Sequence, residues 1–157
     1  MKTRELLILA AVAALALPVE AAACTLRPFK VYFPTRDTSF PATGEARDEV
    51  RWFHSYVTSE GDHSTIIVAH TDRVGSPEEQ MERSRLMAIA VASELEAAGL
   101  PRSGMSIQWR GSSQMVRPTA EGESEPLNRR VELFSVRPTD PNSACLRPLP
   151  PPGTSNE

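Results

Sequence analysis

The run Ser64–His70, STIIVAH, constrains this chain more than any other stretch. It is an unbroken apolar segment of strand length, the pattern of a central strand covered on both faces. Such a strand requires partners, and the flanking sequence supplies them. From Ala42 to Glu60 the apolar positions Ala46, Val50, Phe53 and Val57 recur at three- and four-residue steps, one face of an amphipathic helix closed by Gly61. Ser76-Pro77-Glu78-Glu79 opens a second helix with a capping box. Its face runs Ser84, Ala88, Val91, Leu95, Ala98 to a stop at Gly99-Leu100-Pro101. Three further strands complete the set. FKVYF (29–33) is β-branched and aromatic and ends at Pro34; MSIQWR (105–110) alternates with Met105, Ile107 and Trp109 on one side; RRVELFSV (129–136) is the last. The order β-α-β-α-β-β predicts an α/β sandwich with helices over one sheet face.

The 157-residue chain has room for one such domain once its ends are set aside. Lys2 and Arg4 precede LLILAAVAALAL, which ends at Pro18 and runs into VEAAAC, the order of a secretory signal over residues 1–23. The run is short for a transmembrane helix, which takes about 20 apolar residues. Residues 24–140 are then the folded domain and 141–157 a proline-rich, non-periodic tail. Neither an internal repeat nor a second domain is visible. The formal net charge of −3 survives loss of the signal, because Lys2, Arg4, Glu5 and Glu20 leave as two of each sign. Mild acidity argues against nucleic acid or an anionic membrane surface as main partner. In an exported chain the two cysteines, Cys24 and Cys145, are expected to form one disulfide. The alternative is lipidation of Cys24, after three alanines, which would attach the chain to the outer membrane.

His70-Thr71-Asp72, at the end of the central strand, is the most site-like group. As metal ligands His70 and Asp72 lack companions, since His54 and His63 stand at no ligand spacing and zinc takes three or four converging groups. A serine hydrolase would show G-x-S-x-G, which is absent. The expectation is therefore no enzyme, no cofactor and no metal. By itself His70 reads as a structural hydrogen-bonding residue, and Asp72 can be read as a local cap. Alternation puts Arg129 in phase with Val131 and Leu133, toward the site, and leaves Arg130 solvated. Trp52, Tyr56 and Trp109 read as core or half-buried residues.

VAHTDRVGS, then Ser84, Ala88 and Val91, then NRRVEL together resemble the peptidoglycan-associating domain of the OmpA-like family, which includes the Pal lipoproteins and MotB. The likeness spans roughly residues 29–137. It implies a mixed four-stranded sheet with its first and last strands as antiparallel neighbours, which would bring Cys24 and Cys145 beyond the same sheet end. It also implies non-catalytic binding of the diaminopimelate side chain of the wall's stem peptide, in the periplasm at the cell wall or outer membrane. Other envelope proteins are possible partners of such a domain. That side chain ends in an ammonium and a carboxylate, so a receptor needs an anion and a cation close together. By the resemblance Asp72 takes the ammonium, with Thr71 beside it. A helix arginine takes the carboxylate, helped by the N-R-R strand, here Asn128, Arg129 and Arg130. Charge-assisted contacts of this kind contribute about 1.5–3 kcal/mol each.

The sequence departs from the family pattern at Ala69 for Gly, Gln80 for Asn, Arg83 for Leu and Met87 for the helix Arg. Met87 removes the cation and reads as helix-surface packing. Arg83, four residues earlier on the same face, is the candidate replacement. The expected site is Asp72, Thr71, Gln80, Arg83, Asn128 and Arg129, weakened but able to bind. The alternative is a domain that keeps the fold, has lost the wall ligand and serves protein partners.

Overall fold

The computed structural model describes residues 27–61 and 64–137. The expected signal (1–23), both cysteines and the tail (141–157) lie outside the described residues. Eight segments form in the expected order, six of them regular elements: β1 (Phe29–Tyr32), α1 (Gly44–Glu60), β2 (Ser64–His70), α2 (Pro77–Ala97), β3 (Met105–Trp109) and β4 (Arg130–Val136), with 3-10 turns at Arg102–Gly104 and Pro126–Asn128.

The sheet order is β1-β4-β2-β3. β4 runs antiparallel to both β1 and β2, while β2 and β3 are parallel, so the sheet is mixed. β2 is central, as its unbroken apolar run requires. Register explains the two faces. Val31 pairs Val131, which pairs Ala69, and Phe29 pairs Leu133, which pairs Ile67. These side chains pack with Ala46, Val50, Phe53 and Val57 of α1 and Ala88, Val91 and Leu95 of α2 in one core. Both helices therefore cover the same face. Phe29 reinforces this seam by meeting Phe53 edge-on at 5.4 Å between ring centres.

Local sequence fixes the helix starts. Ser76 accepts from the Glu79 N–H at 3.2 Å and the Glu79 carboxylate returns a contact to the Ser76 N–H at 2.7 Å, the capping box the sequence spells. α1 begins later than Ala42 because Thr43 caps it, its hydroxyl accepting from the Ala46 N–H at 3.2 Å.

Three expectations about burial are corrected. Met87 is not on the surface: it is 0% exposed within the core. Arg130 is not solvated: it is 5% exposed, its Nε donating to Glu132 at 2.8 Å and its Nη1 to the Gln114 carbonyl. Trp52 and Tyr56 are exposed on α1, Trp52 at 60%, because they stand off the Ala46–Val57 stripe that meets the sheet.

Candidate functional site

The site lies where β2 ends, β4 begins and α2 starts. Asp72 stands two residues after the end of β2 and is completely buried. Its Oδ2 accepts from Arg129 Nη1 at 2.5 Å, from the Ser124 hydroxyl at 3.2 Å and from the Glu125 N–H at 3.3 Å. Its other oxygen, Oδ1, is buried without a hydrogen bond among the described residues. Arg83 Nη1 stands 3.8 Å from that oxygen. The expected anion and the replacement cation are thus adjacent, and the unpaired carboxylate oxygen faces the cation.

Arg129 is in phase with Val131 and Leu133 and turns to the Asp72 side, as alternation predicts. Its nitrogens are committed within the protein: Nε to the Phe33 carbonyl at 3.1 Å, Nη2 to the Pro34 carbonyl at 2.5 Å, Nη1 to Asp72 and to Ser124. Arg83 differs. Its Nη1 donates to the Val74 carbonyl at 3.1 Å, and its Nε and Nη2 have no protein partner among the described residues. Its side chain, 16% exposed, is the more accessible of the two arginines, since Arg129 is 3% exposed.

Three of the remaining expected residues do other work. Gln80 donates to the Gly75 carbonyl at 2.8 Å and accepts from the Ser112 hydroxyl at 2.5 Å, clasping two loops to α2. Asn128, fully buried, accepts from the N–H groups of Val116 and Arg117 and donates to the Arg117 carbonyl. Thr71 donates its N–H to the Gly111 carbonyl, while its hydroxyl is buried without a partner among the described residues. The loop after β3 is itself docked on α2. Gly111 N–H donates to the Ser84 hydroxyl at 3.0 Å, and a Cβ at Gly111, whose φ is +54°, would meet Met81 Sδ at 2.9 Å. Ser124 and the Glu125 N–H, which complete the Asp72 cradle, carry no signal in the sequence because they come from an irregular loop more than fifty residues away.

On the opposite sheet face, His70 is 1% exposed and corrects another expectation. Neither ring nitrogen makes a hydrogen bond among the described residues, and Nε2 lies 3.7 Å from Glu132 Oε2. Burial lowers the ring's pKa below 6.5, against the pull of Glu132. For Glu132, burial pushes the carboxyl up, but His70 and Arg130 outweigh it and hold the value at about 2. Both groups bind protons more readily in the unfolded chain, so acid favours unfolding. His70 removes stability as pH falls below 6.5, and Glu132 does so from 4.5 toward about 2. Urea midpoints measured from pH 7 to pH 2.5 are expected to fall, and the Glu132→Gln variant should be flatter below pH 5. An unchanged slope in that variant would refute the assignment.

Among the described residues no three His, Cys, Asp or Glu side chains are grouped to hold a metal ion, and no helix is long and apolar enough to cross a membrane.

The family model of the OmpA family matches residues 32–129, from the last residue of β1 through both helices, β2 and β3 to Arg129 just before β4, and so includes the Asp72 cradle. The chain belongs to the OmpA family. No curated protein sequence matches it significantly. Solved structures of OmpA-family fold agree with the topology. The peptidoglycan-associated lipoprotein of Burkholderia pseudomallei is 22% identical, with a TM-score of 0.61, over 68% of this chain and 89% of that one. The OmpA-like domain of FopA1 from Francisella tularensis is 17% identical, with a TM-score of 0.59, over 68% and 69%. The C-terminal domain of Helicobacter pylori MotB is 19% identical, with a TM-score of 0.54, over 76% and 90%. At these identities the likeness establishes the fold.

Proposed function

We propose that this chain is a non-catalytic module of the cell envelope that holds the diaminopimelate side chain of the peptidoglycan stem peptide at Asp72 and Arg83. Membership of the OmpA family and the likeness to a peptidoglycan-associated lipoprotein support this reading. The observation that carries it is the pairing of a buried carboxylate oxygen without a hydrogen bond, Asp72 Oδ1, with an arginine 3.8 Å away that keeps two nitrogens uncommitted. Ligand ammonium and carboxylate would meet opposite charges there. The site is a weakened one, because Arg129, Asn128 and Gln80 spend their polar groups on the fold and leave Arg83 as the main donor.

The test is retention on purified sacculi. Arg83→Ala removes one charge-assisted contact and should lower affinity roughly ten- to a hundredfold. Its melting temperature should stay close to native, since the side chain reaches solvent, makes its one hydrogen bond to the Val74 carbonyl, and leaves Asp72 paired with Arg129. Equal retention of native and variant protein would refute the assignment. A native protein that is not retained at all would favour the second reading, a domain for protein partners, which the complete burial of Asp72 supports.

The same reading places the mature domain in the periplasm, at the wall or outer membrane, with residues 1–23 as its export signal and Cys24 bridged to Cys145. The register brings Phe29 beside Leu133, so the chain enters β1 and leaves β4 at one sheet end, which supports such a bridge. Closing a loop of that length would stabilise by about 4–5 kcal/mol in the chain-entropy model. Thiol labelling under denaturing, non-reducing conditions is expected to find no free cysteine. One reactive thiol together with a lipid mass on Cys24 would replace the bridge by a lipid anchor.

A further inference from the structure

We propose that Trp109 is a stacking platform for the glycan strand from which the stem peptide hangs; the inference rests on the wall-binding reading above. Strand phase places the indole. Met105, Ile107 and Trp109 alternate onto the helix side of β3, and the first two pack against the core. Trp109, last in the strand, is left 38% exposed beside the first turns of α2. With Pro77, Glu78, Met81 and Glu82 it lines an open groove of about 410 Å³, within the roughly 300–1,000 Å³ of small-ligand sites.

The chemistry of this groove selects its occupant. The indole, Pro77 and the Met81 thioether give it an apolar floor. Both oxygens of Glu82 are held by Arg85 at 2.7 Å, so that carboxylate is neutralised locally. The Glu78 carboxylate has no hydrogen bond or ion pair among the described residues and is open as an acceptor. The matching ligand is neutral, has one apolar face and carries hydroxyl or amide donors at its edge. An anion would meet Glu78, and a plain hydrocarbon would leave that acceptor unused. An N-acetylated pyranose has all three properties. The C–H groups of one ring face stack on the electron-rich face of the indole, the acetyl methyl rests on Met81, and the hydroxyls donate outward. The muramic residue of the wall qualifies too, because its carboxyl is consumed in the amide to the stem peptide.

Reach ties this groove to the wall-binding site. Trp109 pairs with Ala69 across one strand spacing, and Ala69 stands three residues before Asp72. The backbones of Asp72 and Trp109 are therefore at most about 15 Å apart. Glu78 and Arg83, five residues apart, point to different flanks of α2. A stem peptide held at Asp72 and Arg83 joins its sugar through two further residues and a lactyl group. That connection extends about 10 Å before the diaminopimelate side chain adds its own length. The first sugar thus comes to the groove when the peptide crosses the N-terminal turns of α2. Tethering makes the second contact intramolecular, so even a weak stack registers in the affinity.

Calorimetric titration of the mature chain tests this with two synthetic ligands. One is the diaminopimelate stem tripeptide alone, and the other is the same tripeptide on an N-acetylglucosamine–N-acetylmuramic acid disaccharide. The disaccharide form is expected to bind about three- to tenfold more tightly. Trp109→Ala should bring that ratio to near one, whereas Trp109→Phe, which keeps a ring, should keep most of it. A ratio lost in the alanine variant and kept in the phenylalanine variant separates stacking from a general loosening of the fold. In a Trp52→Phe background Trp109 is the chain's only tryptophan, and its fluorescence should respond to the disaccharide ligand and not to the tripeptide. A native ratio of one, or a native ratio that survives in Trp109→Ala, would overturn this inference and leave the wall-binding reading standing. Binding of neither ligand, with no retention on sacculi, would overturn that reading and this inference with it.

Discussion

Asp72→Ala should destabilise the domain by about 3–5 kcal/mol, the cost of leaving a buried partner charge unpaired. Asp72 is 0% exposed and joined to Arg129, which is itself 3% exposed and tied to the Phe33 and Pro34 carbonyls. Removing the carboxylate strands that guanidinium between β1 and β4 and frees the Ser124 and Glu125 donors of the loop. Natural domains have about 5–15 kcal/mol in total, so a loss of this size lowers the melting temperature by many degrees. The consequence for binding experiments is direct. A failure of Asp72→Ala to bind the wall would report unfolding as much as a missing ligand contact. Asp72→Asn is the cleaner variant, since an amide oxygen can still accept from Arg129 while the negative charge is gone. Urea unfolding followed by circular dichroism measures both. A shift below about 1 kcal/mol for the alanine variant would mean that Arg129 finds other partners and that Asp72 is not a structural keystone.

The fold was legible because its determinants are local and periodic. Two helical stripes, a central apolar run and the Ser76-Pro77-Glu78-Glu79 cap each declare an element within a few residues. The phase of Arg129 was equally legible, since alternation in β4 decides it. What alternation does not give is the partner. Ser124 and the Glu125 N–H reach Asp72, and the Phe33 and Pro34 carbonyls reach Arg129, across long stretches of chain. Asn128 and Gln80 looked like ligand donors for the same reason. Their side-chain types suit a ligand, and only the folded loops reveal that Val116, Arg117, Gly75 and Ser112 already use them. Arg130 shows the complementary error. The strand phase correctly turns it away from the helices, but that face is not open, and Glu132 and the Gln114 carbonyl enclose it.

Met87→Arg, which would restore the family's helix cation, is expected to damage the protein instead of repairing it. The periodicity of α2 already contains the reason. Met87 lies three residues after Ser84 and four before Val91, so it belongs to the buried stripe with both of them. In the folded chain it is 0% exposed, in a core it shares with Phe33, Phe53, Ile67 and Val131. Arginine there keeps its charge at any accessible pH and must either displace apolar side chains or strain toward the loops. Overpacking alone costs about 1–3 kcal/mol, and an imperfectly paired buried charge adds to it. If the new side chain did reach Asp72, it would bring a third guanidinium to a carboxylate that Arg129 and Arg83 already face. The expected result is a melting temperature well below native and no gain in affinity for a diaminopimelate-containing stem tripeptide. In the Arg83→Ala background, Met87→Arg should likewise fail to restore retention on sacculi. Native-like melting with tighter binding in either background would show that α2 can repack to present position 87 to the site. The cation would then belong to that position, and Arg83 would be a bystander on the rim of the cradle.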